Sequence, residues 1–141
     1  MTRYVVDASV AIKWFLPEVH SESASRLLRE ERYLLVPDLI WAEFGNVLWK
    51  KWRRKEIASD VVDGILRDFQ RFPLEVHTSE RLLRLAWAIA AEFNRTVYDS
   101  LYLALAQSTP CRLVTADSKL FDSLKTTRLD RVLLWVEHIP A

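Results

Sequence analysis

Glycine is nearly absent from this chain of 141 residues, in which only Gly45 and Gly64 occur. Loops that cradle phosphate groups need several glycines, because the backbone must come close to the ligand. A dinucleotide-binding fold and a P-loop are therefore both excluded. Hydrophobic residues make up 50% of the chain, so we expect a single domain, residues 1–141, with a substantial core.

Cysteine, excess charge and long apolar runs are also scarce. The single cysteine, Cys111, has no partner for an internal disulfide and is expected to be a small buried hydrophobic residue in a reducing cytosol. The chain has 20 Lys and Arg against 19 Asp and Glu, which excludes a generally basic nucleic-acid-coating protein but allows a local basic patch. No leader-like segment opens the chain, and no apolar run approaches the roughly 20 residues of a membrane span. We therefore expect a soluble, cytoplasmic protein that does not bind membranes.

Short apolar runs alternate with amphipathic segments along the chain. The apolar runs predict five strands, at 4–6, 33–36, 73–77, 112–115 and 132–136. The amphipathic or wholly apolar segments predict helices at 10–16, 18–32, 39–54, 59–69, 79–93 and 98–106, and a short one from 116. Asp38, Ser59 and Ser79 are expected to cap the helices that follow them. This alternation favours an α/β fold with a parallel sheet covered by helices on both faces.

Two acidic residues stand in apolar surroundings. Asp7 ends the first predicted strand, and a side chain at the carboxyl end of such a strand faces the crevice where α/β folds bind ligands. Glu43 interrupts an otherwise apolar helix face, and a buried carboxylate is costly without a partner. Asp7 alone is also explained by a turn or a helix N-cap, and Glu43 by an ion pair with Arg or Lys at the edge of the core.

Two further acids occupy related positions. Asp99 stands at the start of the predicted helix 98–106, and Asp117 follows the strand 112–115 by two residues. Each is also explained by an ordinary cap or turn. All four acids nevertheless fit one geometry, because two strand ends, a helix start and a helix interior can converge at the carboxyl edge of one parallel sheet.

Four carboxylates in one place repel one another, and they stay together only if some are protonated or divalent cations neutralise them. Oxygen ligands without histidine or thiolate suit Mg²⁺ or Mn²⁺ rather than zinc. Ser9 and Thr115 lie beside two of these acids, where their hydroxyls are expected either to orient the carboxylates and metal-bound waters or simply to cap the turns. His20, His77 and His138 fall in peripheral segments and are not expected to act as a general base.

Four segments, in this order and spacing, resemble the PIN-domain ribonucleases, in particular the VapC-type toxins of toxin–antitoxin pairs. They are Val-Val-Asp-Ala-Ser at 5–9, Pro37 followed by 42–48, Tyr-Asp-Ser-Leu-Tyr within 98–106, and Leu-Val-Thr-Ala-Asp at 113–117. The resemblance covers essentially the whole chain. The family's acidic quartet falls on Asp7, Glu43, Asp99 and Asp117.

The resemblance implies a three-layer α/β/α sandwich around a central, mostly parallel sheet of about five strands. It also implies Mg²⁺- or Mn²⁺-dependent cleavage of RNA, and an antitoxin whose tail lies over the active site. Asp7 and Asp99 are expected to bind the metal most directly, with Glu43 and Asp117 completing its ligands.

An RNA substrate must be held largely through its phosphates. The candidate cations are Lys13, Lys50, Lys51, Arg53, Arg54, Lys55 and Arg95. The cluster 50–55 is equally well explained as the solvated C-terminal end of a helix, where cations are favoured.

Six tryptophans are many for a chain of this length. Trp41, Gly45, Leu48 and Trp52 form a stripe on the side of their helix away from Glu43, and Trp49 adjoins it. This stripe predicts a homodimer interface or an antitoxin groove, or else ordinary packing against neighbouring helices.

The leading hypothesis is thus a metal-dependent endoribonuclease that is the toxin of a toxin–antitoxin pair. One alternative is a PIN-type nuclease that processes RNA without an antitoxin, and another is a catalytically silent RNA- or protein-binding module. A phosphatase or phospho-receiver is disfavoured, because Ala8 and Ser9 follow Asp7 where a second acid would be needed.

Overall fold

A five-stranded sheet lies at the centre of the computed structural model, which describes residues 2–141. Its strands are β1 (Thr2–Val6), β2 (Arg32–Pro37), β3 (Glu75–His77), β4 (Arg112–Thr115) and β5 (Leu133–Trp135). All neighbouring strands are parallel, in the order β3-β2-β1-β4-β5. The five predicted strands are confirmed within two residues at each end, and the sheet is wholly rather than mostly parallel.

Helices cover both faces of this sheet. Consecutive residues in β1, β2 and β4 are fully buried, including Val5 with Val6 and Leu113 with Val114. Because consecutive side chains in a strand point to opposite faces, both faces must be shielded from water. The predicted α/β/α architecture is therefore confirmed.

Seven α-helices connect the strands within residues 2–141. They are α1 (Ala8–Ala11), α2 (Ser21–Ser25), α3 (Ile40–Arg53), α4 (Ser59–Gln70), α5 (Ser79–Phe93), α6 (Val97–Ser108) and α7 (Ser118–Leu124). Short 3₁₀ turns occupy Ile12–Trp14, Arg26–Leu28, Arg128–Val132 and Val136–His138. In the part of the chain that the structure describes, no helix combines the length and the apolar character needed to cross a membrane.

The strand order places a topological switch point between β1 and β4. The chain runs from β1 to β2 and β3 on one side, and then returns to add β4 and β5 on the other. Val6 pairs with Val114, so the residues that follow, Asp7 and Thr115, emerge side by side at the carboxyl edge. Open α/β sheets bind ligands at such a switch point.

The predicted helix 18–32 is wrong over most of its length. His20 adopts a left-handed backbone with φ 67°, and Arg29 is extended, so only Ser21–Ser25 is α-helical before the 3₁₀ turn Arg26–Leu28. The chain must reverse within a few residues to enter β2. The Arg32 guanidinium stabilises this reversal, because it donates to the carbonyl oxygen of Arg26 at 2.6 Å.

The predicted caps are also wrong in detail. Asp38 does not cap α3; its carboxylate accepts hydrogen bonds from the backbone N–H and the hydroxyl of Ser79, at the start of α5. Ser59 lies one residue inside α4 and accepts from the Trp52 indole at 2.9 Å. The N-cap of helix α6 is Thr96, whose hydroxyl accepts from the backbone N–H of Asp99. The Asp99 carboxylate is therefore free of a capping role.

Candidate active site

A cleft of about 720 Å³ opens at the carboxyl edge of the sheet, between α3 and the start of α6. All four acids singled out in the sequence line it, from β1, α3, α6 and the β4–α7 turn. Its other polar lining residues are Ser9, Asn46, Lys50, Thr96, Tyr98 and Tyr102. The cleft thus lies at the switch point and brings together acids that are up to 110 positions apart in sequence.

Asp7 is the most enclosed of the four acids, with 8% of its surface exposed. Its Oδ1 accepts from the Ser9 hydroxyl at 2.5 Å and from the backbone N–H of Val10 at 3.2 Å, and its Oδ2 accepts from the Thr115 hydroxyl at 2.6 Å. The two hydroxyls also accept from backbone N–H groups across the edge, Ser9 from Ala116 and Thr115 from the acid at 117. Ser9 and Thr115 therefore both orient Asp7 and cap the adjacent turns.

Burial is the main reason that the pKa of Asp7 is raised, to about 6, with a smaller contribution from the negative charge of Asp117. The hydrogen bonds from Ser9, Thr115 and Val10 oppose this shift, because they stabilise the ionised form. A carboxylate held in this way attracts a cation, since a nearby positive charge would relieve the cost of ionising it.

The other three acids are held differently from one another. Burial, and then the charge of Asp99, raise the pKa of Glu43 above its ordinary value. Asp99 accepts from the Arg95 guanidinium, Nη2 to Oδ2 at 2.9 Å. Asp117 caps α7 by accepting from the backbone N–H groups of residues 119 and 120. Glu43 makes no ion pair with Lys or Arg within residues 2–141, so that explanation of Glu43 is wrong.

Most of the candidate RNA-binding cations already form an ion pair with, or stack on, another side chain of this chain. Lys13 and Lys51 both pair with Glu18, at 3.2 and 2.5 Å. Arg53 lies over the Trp49 ring and Arg54 pairs with Glu56, while Arg95 pairs with Asp99. Lys55 lies in the α3–α4 turn, outside the cleft. The cation of the set that lines the cleft is Lys50, which makes no ion pair within residues 2–141.

The match to a known family spans most of this structure. A PIN-domain model matches residues 4–125, which include all four acids. The chain belongs to the PIN-domain family. A curated relative, Ribonuclease VapC3 of Pyrobaculum aerophilum, is 36% identical over 120 residues, which cover 84% of this chain and 92% of that protein.

Solved PIN structures agree with this fold. The alignment with PAE2754, a protein of Pyrobaculum aerophilum, covers 96% of this chain and 85% of the PAE2754 chain. Its TM-score is 0.65 and its sequence identity is 27%. A VapBC2 complex from Rickettsia felis, bound to a promoter DNA fragment, contains a chain that aligns over 95% of this chain and 98% of its own, with a TM-score of 0.66 and 15% identity. The PIN fold predicted from the four segments is confirmed.

Several residues of the PIN cleft were not predicted. Asn46 is three positions after Glu43 and Tyr102 is three positions after Asp99, so helical spacing alone marks both as neighbours of an acid. Thr96 and Tyr98 complete the wall at the start of α6. Helical spacing from each acid would have found Asn46 and Tyr102 but not Thr96, which precedes the helix.

Histidine lies outside the cleft, as predicted. His20 is 3.7 Å from Glu137, and His77 is 2.7 Å from Glu75, while His138 lines a depression at the opposite edge of the sheet. The lining of the cleft contains no histidine. Its polar lining consists of carboxylates, hydroxyls, one amide at Asn46 and one ammonium at Lys50.

The tryptophan stripe is partly internal. Leu48 is fully buried, and the Trp41 ring packs against Phe69 of α4 at 5.2 Å between centroids. Trp49 and Trp52 remain about half exposed beside an apolar groove between α3 and α4. Packing between helices thus explains the inner part of the stripe but leaves the groove uncovered.

A divalent cation suits this donor set in kind and in place. The four side chains offer carboxylate oxygens from four directions, and two of them are acids whose burial raises their pKa. Within residues 2–141, however, no three His, Cys, Asp or Glu side chains are grouped closely enough to hold a metal ion as they stand. A cation in the cleft would keep several water ligands beside the carboxylates, and it would share Asp99 with the Arg95 guanidinium.

Proposed function

We propose that this PIN-domain protein is a metal-dependent endoribonuclease of the VapC type that works in the cytoplasm as the toxin of a toxin–antitoxin pair. The main support is the convergence of Asp7, Glu43, Asp99 and Asp117 on one cleft at the switch point of the sheet. The curated relative described above is named a ribonuclease and matches 84% of the chain, which makes RNA the substrate of choice.

Asp7, Glu43, Asp99 and Asp117 would hold Mg²⁺ or Mn²⁺. When bound, the cation would activate a water for in-line attack on a phosphodiester and stabilise the departing 3′ oxygen, so that the products carry a 5′-phosphate and a 3′-hydroxyl. Ser9 and Thr115 keep the Asp7 carboxylate in one orientation by donating to its two oxygens. Arg95 restrains Asp99 by donating to one of its oxygens, Oδ2.

Cleavage of a mixed RNA pool by the purified protein tests this proposal. Cutting is expected with Mg²⁺ or Mn²⁺ and is expected to cease in EDTA. An Asp99→Asn preparation, purified identically, controls for contaminating nucleases. Cutting that survives both EDTA and the substitution would contradict the proposed mechanism, and a folded, antitoxin-free protein that never cuts would favour the binding-module hypothesis.

Lys50 is expected to bind a phosphate of the RNA backbone beside the acids. Replacing it with glutamine should weaken binding of RNA several-fold. The negative slope of log affinity against log salt concentration should become shallower by about one, since one counterion fewer is released. Binding of a fluorescent RNA in EDTA at several salt concentrations measures both quantities. Lys125→Gln is a matched control, because Lys125 is exposed and pairs with Asp122 on α7. Equal slopes for the Lys50 variant and the wild type would contradict this role.

We propose that the groove between α3 and α4 receives an amphipathic helix of the antitoxin. It is lined by Gly45, Trp49, Trp52, Val62 and Leu66, and aromatic residues beside a groove are typical anchors for such helices. Solved neighbours of this fold include toxin–antitoxin complexes, which supports a protein partner. We also propose that the protein is a homodimer, which light scattering coupled to gel filtration would test.

Trp49→Glu is expected to weaken antitoxin binding about 10-fold or more, because it places a charge in an apolar contact. Calorimetric titration with the antitoxin measures the loss. RNA cleavage by the free variant should be unchanged, since Trp49 does not line the cleft. Unchanged affinity would place the antitoxin elsewhere.

A further inference from the structure

The hydroxyl group of Tyr102 is buried in the wall of the cleft without a hydrogen-bond partner. Only 3% of the residue is exposed, and no donor or acceptor in residues 2–141 completes a hydrogen bond of ordinary geometry to its Oη. A buried polar group without a partner costs free energy, and phenylalanine would fill the same space without that cost. The oxygen therefore needs an explanation other than packing.

The acids of the cleft differ in how they are restrained. Asp7 accepts three hydrogen bonds, Asp117 accepts two from backbone N–H groups, and Asp99 accepts one from Arg95. Within residues 2–141, the Glu43 carboxylate accepts no complete hydrogen bond and makes no ion pair. Glu43 is thus an acceptor without a donor in the same cleft where Tyr102 is a donor without an acceptor.

These two groups are neighbours. The Tyr102 hydroxyl is close enough to Glu43 to lower the pKa of that carboxyl, against the larger opposing effect of burial. Burial, and then the charges of Glu43, Asp7 and Asp99, raise the pKa of Tyr102 far above its ordinary value. A tyrosine hydroxyl carries its proton at neutral pH in any case, and beside a carboxylate it is placed to donate.

We propose that Tyr102 is the positioning residue of Glu43: its hydroxyl donates to the Glu43 carboxylate and holds it towards the cation when one is bound. This inference rests on the proposed function. With this hydrogen bond, each of the four acids has at least one donor that restrains its carboxylate. It also explains why a hydroxyl is kept on a ring that is otherwise buried by the apolar packing of α6.

The test compares Mn²⁺ affinity, measured by electron paramagnetic resonance of the free ion, in the wild type and in Tyr102→Phe. Removal of a group that orients a metal ligand is expected to weaken Mn²⁺ binding about 10- to 100-fold. The thermal midpoint in EDTA should not fall, because the substitution removes an unsatisfied hydroxyl. Tyr4→Phe is the matched control, since Tyr4 is also buried but lies at the opposite edge of the sheet.

A double-mutant cycle with Glu43→Gln identifies the partner. If Tyr102 acts through Glu43, Tyr102→Phe should change Mn²⁺ affinity less than 2-fold in the Glu43→Gln background, so that the coupling between the two residues accounts for the whole effect of Tyr102→Phe in the wild type. A full additional loss in that background would overturn the inference, and so would a Tyr102→Phe variant that binds Mn²⁺ like the wild type. A wild-type protein that neither binds Mn²⁺ nor cuts RNA would instead overturn the proposed function, and this inference with it.

Discussion

Asp7→Asn is expected to cleave RNA at least about 1000-fold more slowly than the wild type, a loss that corresponds to about 4 kcal/mol of transition-state stabilisation. Asparagine keeps the size of the side chain and can still accept from Ser9 and the backbone of Val10. It lacks the negative charge that would hold a divalent cation. Initial rates with saturating Mn²⁺, on the RNA that the wild type cuts best, measure the loss.

The same substitution should not unfold the protein. Burial raises the pKa of Asp7 to about 6 from 3.8, so in EDTA at pH 7.5 the folded wild type carries a carboxylate whose ionisation is disfavoured by folding. A neutral amide removes this cost, and the thermal midpoint of Asp7→Asn in EDTA should therefore equal or exceed that of the wild type. Asp122→Asn is the control, because Asp122 is exposed and lies outside the cleft. An Asp7 variant that retains a tenth of wild-type activity would remove Asp7 from the catalytic set.

Glu18→Gln is expected to lower the free energy of unfolding by about 2–3 kcal/mol at pH 7, between the values for exposed and buried ion pairs. Glu18 joins Lys13, beside α1, to Lys51, near the end of α3, and all three side chains are mostly shielded from water. The substitution leaves two lysines facing each other without a counter-charge. Urea unfolding measures the effect, and Glu92→Gln, which breaks the exposed pair with Arg128, should cost less than about 1 kcal/mol.

The contribution of Glu18 depends on pH in a defined direction. Burial opposes its ionisation, but Lys51 and Lys13 outweigh burial and lower the pKa of Glu18 below 4.5. A lowered pKa in the folded state stabilises the protein above pH 4.5, and this stabilisation is lost as pH falls through the lowered value. The difference between wild type and Glu18→Gln should therefore shrink below pH 4.5. A constant difference from pH 7 to pH 3 would mean that the effect is not electrostatic.

Local patterns were sufficient to predict the sheet and the four acids. Valine and leucine runs such as 113–114 mark buried strands, because a strand covered on both faces must be apolar at consecutive positions. Asp7 and Asp117 follow such strands directly, and parallel strands all end at one edge. The order of residues along the chain was therefore enough to predict that these two acids converge, but not how far apart they lie.

Contacts between distant segments account for what was not predicted. Asp38 was assigned to the helix beside it, whereas its partner is Ser79, 41 positions later. Lys51 was a candidate for RNA until the structure placed it against Glu18, 33 positions earlier. The segment 18–32 has the composition of a helix, but two of its arginines, Arg26 and Arg32, donate to the carbonyl oxygens of residues 139 and 140. None of these partners is visible in a local window.

The pairing of β1 with β4 joins two segments of the proposed active site that are made far apart in time during synthesis of the chain. Asp7 is held by Thr115, which lies 108 positions further along the chain, so most of the polypeptide must leave the ribosome before that hydrogen bond can form. Such a non-local contact closes late, because the entropy of a long loop must be overcome first. A growing chain that ends before β4 has the first acid but lacks Asp117. If these acids act as proposed, nascent fragments are expected to be inert, and cleavage is expected only once the domain is nearly complete.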